Sequence, residues 1–126
     1  MKTLVAIIVA SVGLELGAVG AVQAGDLFTP PVFVADNENF ACGIVNVGTR
    51  TRLVHILINN GSGGTTGDSG NLSLAPGAVA SWVNVDVNQQ FRYCHFIVEG
   101  GKKEHYRAVG CVFVDAGSSR DCVAAE

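Results

Sequence analysis

Four cysteines and three histidines are the residues of this chain best equipped for covalent or metal chemistry: Cys42, Cys94, Cys111 and Cys122, and His55, His95 and His105. Cys94 and His95 are adjacent, which invites a thiol nucleophile beside an imidazole base. A strand, however, turns successive side chains to opposite faces, so neighbours on a strand cannot meet. A disulfide would also consume the thiol. No Gly-x-Ser-x-Gly elbow is present to place a serine nucleophile. We therefore assign no catalytic residue and expect a non-enzymatic protein without a cofactor. Imidazoles suit zinc or copper. His55 and His95 are the candidate ligands for the alternative reading, a small periplasmic metal- or ligand-binding protein, with His105 at the start of the following strand. A blue-copper centre is not expected, because Met1 is the sole methionine and no cysteine has histidines at the usual spacing.

The elements that must position these residues begin after an N-terminal leader. Met1-Lys2 is a short basic start, Leu4 to Leu14 is an apolar run of eleven residues, and Val22-Gln23-Ala24 offers small residues where a signal peptidase reads. Residues 1–24 are therefore expected to be a secretory signal and residues 25–126 the working domain. Glu15 interrupts an apolar stretch that, continued to Val22, approaches the ~20 residues of a membrane span. A carboxylate near the centre costs roughly 2.5–3.5 kcal/mol on insertion scales, so cleavage is favoured over a retained anchor and no stable span is expected afterwards. Gly25 stands where a lipoprotein would need its cysteine. Removing 24 of 126 residues leaves 102, one domain with one core. The expected location is secreted or periplasmic.

The net charge of −3 does not change with the leader, because Lys2 and Glu15 leave together. Acidic and basic residues are interspersed. The densest basic cluster, Lys102-Lys103, is followed at once by Glu104 and reads as a solvated hairpin tip. No basic stripe is available to neutralise a phosphate backbone, which argues against nucleic acid as a partner.

An even set of cysteines in an exported chain predicts two disulfides. A hairpin centred on Ala116-Gly117 sets Cys111 opposite Cys122, within bridging distance, and leaves Cys42 for Cys94. A Cys94–Cys111 bridge across a Gly100–Glu104 hairpin is the rival, and the sequence leaves both pairings open.

Almost every segment after Gly25 is rich in Val, Ile, Phe, Thr and Tyr and is broken by Gly, Asn or Asp. Strands are expected at Val32–Ala35, Asn39–Val47, Thr51–Asn59, Asn71–Leu74, Ala78–Val87, Gln90–Glu99, His105–Asp115 and Arg120–Ala124. The Gly/Ser/Thr-rich stretch Asn60–Gly70 reads as a surface loop. No Gly-Lys-Ser/Thr follows it, and Asp68 is its lone carboxylate, so neither a phosphate nor a calcium loop is indicated. Regular strands with short connections predict an all-β, antiparallel sandwich of seven or eight strands.

Three motifs carry a resemblance. Cys42-Gly43-Ile44-Val45-Asn46-Val47-Gly48 resembles a C-x-V-x-N-V-G strand, Leu72-Ser73-Leu74-Ala75-Pro76-Gly77 resembles an L-x-L-x-P-G turn, and Phe91-Arg92-Tyr93-Cys94 is similar to a late strand with the partner cysteine. Together, over roughly Asn39 to Asp115, they resemble uncharacterised small secreted proteobacterial proteins with an immunoglobulin-like β-sandwich. The resemblance implies a fold and an export route, and no catalytic residue. It also agrees with a Cys42–Cys94 bridge between sheets.

Within such a topology, Thr51–Asn59, Gln90–Glu99 and His105–Asp115 share a sheet. Alternation sends Val54, Ile56, Ile58, Cys94, Phe96 and Val98 inward, with Val109, Cys111 and Phe113. The opposite face then carries Leu53, His55, Leu57, Tyr93, His95, Ile97 and Tyr106, with Ala108, Val112 and Val114. An outer face that apolar points to a protein interface, with an unknown protein partner or a second copy. The competing readings are cover by Asp26–Ala35 or a reversed parity on one strand. In Ala78–Val87 the set Val79, Val83, Val85 and Val87 is the expected core face. Trp82 is then exposed as a partner anchor or packed against a neighbouring loop. The sequence leads to an exported non-enzymatic module for protein–protein interaction or a structural role at the cell envelope.

Overall fold

The structure, a computed structural model, describes residues 25–84, 89–100, 102–114 and 119–126. The expected leader, the strand end at Val85–Val87 and the turn Asp115–Ser118 lie outside the described residues. The strands are β1 (Asp26–Phe28), β2 (Val32–Val34), β3 (Glu38–Asn46), β4 (Arg52–Asn60), β5 (Thr65–Leu74), β6 (Val79–Asn84), β7 (Gln90–Val98), β8 (Tyr106–Val114) and β9 (Ser119–Ala124), with a 3-10 turn at Lys103–His105. They form two antiparallel sheets. One has the order β1-β7-β4-β5, with β2 continuing the β1 edge along β7; the other has the order β6-β3-β8-β9.

Period-two alternation builds the core between them. Val54, Ile56 and Ile58 of β4, with Cys94, Phe96 and Val98 of β7, face Phe40, Cys42 and Ile44 of β3, and all are buried. Full burial of side chains of this size contributes about 1.5–3 kcal/mol each. The Cys42–Cys94 disulfide crosses this core from sheet to sheet, with Cα atoms 5.8 Å apart. Cys111 and Cys122 are bonded on β8 and β9, where the register sets them directly opposite each other. The rival Cys94–Cys111 pairing is thereby excluded.

β8 departs from the sequence reading in sheet and in parity. It pairs with β3 from Glu38↔Val114 to Asn46↔Tyr106, not with β7. Tyr106, Ala108 and Val112 point inward, and Tyr106 is only 3% exposed. Tyr106 thus leaves the candidate outer face, while Val109 is exposed and Cys111 half-buried. Gly110 explains the parity. It sits opposite Cys42, and a Cβ there would lie 2.8 Å from Cys94 Sγ and 2.9 Å from Phe40 Cζ. A glycine must face the disulfide, so Tyr106, Ala108 and Val112 face inward with it. Lys102-Lys103 consequently lies on a crossover between sheets rather than on a hairpin tip; both lysines are exposed.

Two further expectations are corrected. Most of Asn60–Gly70 is strand: Asn60 closes a tight turn, its Oδ1 accepting from the N–H groups of Ser62 and Gly64, and β5 begins at Thr65. Ala80 on β6 and Ala78 just before it pack against the core, while Val79 is 69% exposed and Val83 is also exposed. Trp82 is 38% exposed and lies over Gly67 of β5, where Asn84 Nδ2 also donates to Thr66 O. This closes one flank of the sandwich. The other is closed where Glu126 exchanges backbone hydrogen bonds with Phe28 and Ala125 donates to Ala108.

Two of the three quoted motifs meet in space. Asn46 is fully buried; its Nδ2 donates to Leu74 O and Arg50 O, and its Oδ1 accepts from Gly48 N–H. Its carbonyl accepts from Gly77 N–H. Ala75-Pro76-Gly77-Ala78 closes with Ala78 N–H donating to Ala75 O, and Gly77 has φ +80. That is the proline-then-glycine order of a type II turn.

Candidate functional site

The outer face of the five-stranded sheet gathers six of the seven candidate interface residues. β4 contributes Leu53, His55 and Leu57, and β7 contributes Tyr93, His95 and Ile97; the register sets His55 opposite Ile97, Leu57 opposite His95 and Asn59 opposite Tyr93. Leu53 and Ile97 are exposed, and Leu57, Tyr93 and both histidines are half-buried. The N-terminal segment extends this face sideways instead of covering it. Asp26 and Phe28 stand opposite Ile97 and His95, and Phe33 stands opposite Phe91. Phe28, Phe33 and Phe91 are each more than 40% exposed. Phe33 and Phe91 meet edge to face at 5.4 Å.

Each histidine on the face is held by its own aspartate. His95 Nε2 donates to Asp26 Oδ2 at 2.9 Å, and the imidazole stacks on Phe28 with ring centres 4.3 Å apart. His55 Nε2 bonds Asp68 Oδ1. A break of register between His55↔Asn71 and Leu57↔Asp68 brings both Asn71 and Asp68 of β5 beside His55. Such a bulge re-aims side chains at the cost of a ladder bond, and Ser69 Oγ accepts the Ile56 N–H within it. The His55 bond, and then the Gly70 N–H, hold the Asp68 carboxyl below its ordinary range.

This arrangement bears on the metal alternative. His55 and His95 are diagonal neighbours across β4 and β7, but the Nε2 of each is engaged by its own aspartate. His105 is elsewhere, its carbonyl accepting from Val47 N–H and its ring near Gly48. Among the described residues, no group of three or more His, Cys, Asp or Glu is placed to hold a metal ion. Cys94 and His95 do point to opposite faces: Cys94 is fully buried and disulfide-bonded, His95 partly exposed.

Two concavities adjoin the sheet. A hollow of about 320 Å³ lies on the outer face around Ile97, bounded by Asp26, Leu53, His55, Asn71 and Glu99. A groove of about 600 Å³ opens on the flank near Leu27, Tyr106, Ala108 and Ala124, rimmed by Lys103 and Arg107. Sequence reasoning missed Asp26, Phe28, Phe33, Phe91 and Asp68. The alternation of Asp26 and Phe28 around Leu27 was the available signal for the first two. Asp68 had none, because its position follows from a bulge.

The fold defines an all-β protein of two antiparallel sheets. No protein-family model matches the chain, and no curated protein matches it. Among solved structures, the crystal structure of Thermotoga maritima 1070 is similar in fold, with a TM-score of 0.55 at 8% identity, covering 80% of this chain and 91% of that one. Among the described residues, no helix is long and apolar enough to cross a membrane.

Proposed function

We propose that this chain is an exported, non-enzymatic β-sandwich module that engages a protein partner at the cell envelope through the outer face of its five-stranded sheet. The observation that carries the reading is the row of exposed Phe28, Phe33, Phe91, Leu53 and Ile97 across adjacent strands of one face. Contiguous exposed apolar and aromatic surface is what binding faces present. Export is supported by the leader pattern of residues 1–24 and by two disulfides, which persist in oxidising compartments. The immunoglobulin-like reading is supported by the bridge between β3 and β7 across the sheets. The pairing of β8 with β3 confines that likeness to the central strands.

The test is substitution of Leu57 and Ile97 by Lys, with Val83→Lys on the other sheet as control. Native mass of the purified protein, alone and with its partner, is expected to show assembly lost in the first variant and kept in the control. Unchanged assembly with unchanged folding in the Leu57/Ile97 variant removes the proposal.

A further inference from the structure

We infer that this face is built for a basic partner, an extended segment that lays a Lys or Arg side chain into the hollow beside Ile97; the inference rests on the interaction reading above. Its first support is charge. The outer face carries Asp26 on β1, Asp68 on β5 and Glu99 just beyond β7, where the Glu99 N–H donates to Leu53 O. The five strands contain two basic residues with long side chains, Arg52 and Arg92. Neither lies on this face. Arg92 is fully buried and donates to Thr66 Oγ1 at 2.8 Å. Arg52 has the inward parity of Val54, and its guanidinium lies against Gly100. The exposed apolar surface is therefore bordered by carboxylates, and the basic groups that these strands place among them are the two histidines.

The second support is shape. The hollow of about 320 Å³ has Leu53 and Ile97 as apolar wall and Asp26, Glu99 and the Asn71 amide as polar boundary. Long cationic side chains bury their methylenes along apolar surface and keep the charged head among acceptors. Asp26 commits one oxygen, Oδ2, to His95; a carboxylate has about four acceptor sites, so capacity remains for an ammonium or guanidinium. The same charges disfavour a symmetric pair of copies face to face. A two-fold contact sets the same patch against itself, so Asp26, Asp68 and Glu99 would meet their own counterparts, and like charges across an interface are costly.

The experiment uses the purified protein and two synthetic peptides, acetyl-Leu-Lys-Leu-Lys-Leu-amide and its counterpart with Gln for Lys. Titration calorimetry is expected to show the Lys peptide binding at least about tenfold more tightly, with the difference collapsing near 1 M salt, where screening acts within about 3 Å. Asp26→Asn with Glu99→Gln, and Glu99→Gln alone, are expected to weaken the Lys peptide and leave the Gln peptide unchanged. Glu99 is exposed, so its substitution keeps the fold, and a matching melting curve checks this. Equal binding of both peptides overturns the basic-partner inference and leaves an apolar interaction face standing. Binding of neither peptide, with self-association abolished by Leu57→Lys, identifies a second copy as the occupant and also overturns it. Binding of neither peptide by a protein whose assembly ignores Leu57→Lys removes both this inference and the interaction reading.

Discussion

Replacing Gly110 by alanine adds one methyl group at the tightest place in the molecule. The new Cβ would stand 2.8 Å from Cys94 Sγ and 2.9 Å from Phe40 Cζ, distances that real Cβ atoms essentially never show. Neither neighbour has somewhere to go. The sulfur is tied to Cys42 on the opposite sheet, and Phe40 is fully buried. Inserting a methyl into a filled core costs about 1–3 kcal/mol. Taking about 2 kcal/mol, a domain of this size should lose roughly 10 °C in melting temperature. Gly43 on β3 is the internal comparison, because its added Cβ meets only Ala80 O, at 3.9 Å. There the lower entropy of the unfolded alanine should stabilise the protein by about 0.4–1 kcal/mol. Urea unfolding of both variants, followed by circular dichroism, measures the two signs directly. A Gly110→Ala variant within about 0.5 kcal/mol of the parent would refute the account of why β8 takes its parity.

The remaining predictions concern the disulfides, the buried asparagine and two ionisable groups. Cys42–Cys94 closes a loop of 52 residues and Cys111–Cys122 one of 11, so the chain-entropy model assigns them about 4 and 3 kcal/mol. Cys42 and Cys94 are fully buried while Cys122 is exposed, so mild reductant on the folded protein should open Cys111–Cys122 first, as read by peptide mapping after alkylation. Asn46→Ala leaves two carbonyls and one N–H without the partner that now serves them, and should cost about 2–4 kcal/mol in urea unfolding. Burial raises the Tyr106 hydroxyl above its ordinary value of 10.0. Its contribution to stability is present below that value and is lost as pH rises towards the folded one, an alkaline loss that Tyr106→Phe should remove. Asp68 is lowered by His55 and Gly70, so its contribution is present above its unfolded value of 3.8 and is lost as pH falls through the lower folded value; carboxyl shifts in NMR should show it ionised where ordinary aspartates are half protonated.

Much of the molecule is legible as alternation. Val54, Ile56 and Ile58, and Cys94, Phe96 and Val98, follow strict period two and are all buried, so the inner faces of β4 and β7 and the outer residues between them could be read directly. The disulfide pairing was narrowed by hairpin register at Cys111 and Cys122, and burial decides it: Cys42 and Cys94 are fully buried between the sheets, whereas Cys111 is half-buried and Cys122 exposed. What alternation cannot supply is parity, because a slip of one residue inverts a whole strand. On β8 the hydrophobic pattern is ambiguous, with Val109 and Phe113 on one side and Ala108 and Val112 on the other. A steric fact, the closeness of Gly110 to the disulfide, selects between them. On β6 the opposite parity is taken: Ala80, with Ala78 just before the strand, packs against the core, while Val79 and Val83 are exposed. The glycine-rich composition of Asn60–Gly70 concealed a strand whose glycines accommodate a bulge and the close approach of Trp82 and Ile58 to Gly67. The high apolar content also remains visible in the folded domain, as exposed Phe28, Phe33 and Phe91 on one sheet and Val79, Val83 and Val109 on the other.

The most direct test of the interaction face is an amide chemical-shift titration of the isotopically labelled protein with the Lys–Leu peptide, beside the same titration of Leu57→Lys/Ile97→Lys. The account predicts saturable shifts confined to the outer residues of β1, β4 and β7, centred on Ile97 and Glu99, and absent from the double variant. Shifts centred instead on Val79, Val83 and Val109, or shifts that persist unchanged in the double variant, would contradict it.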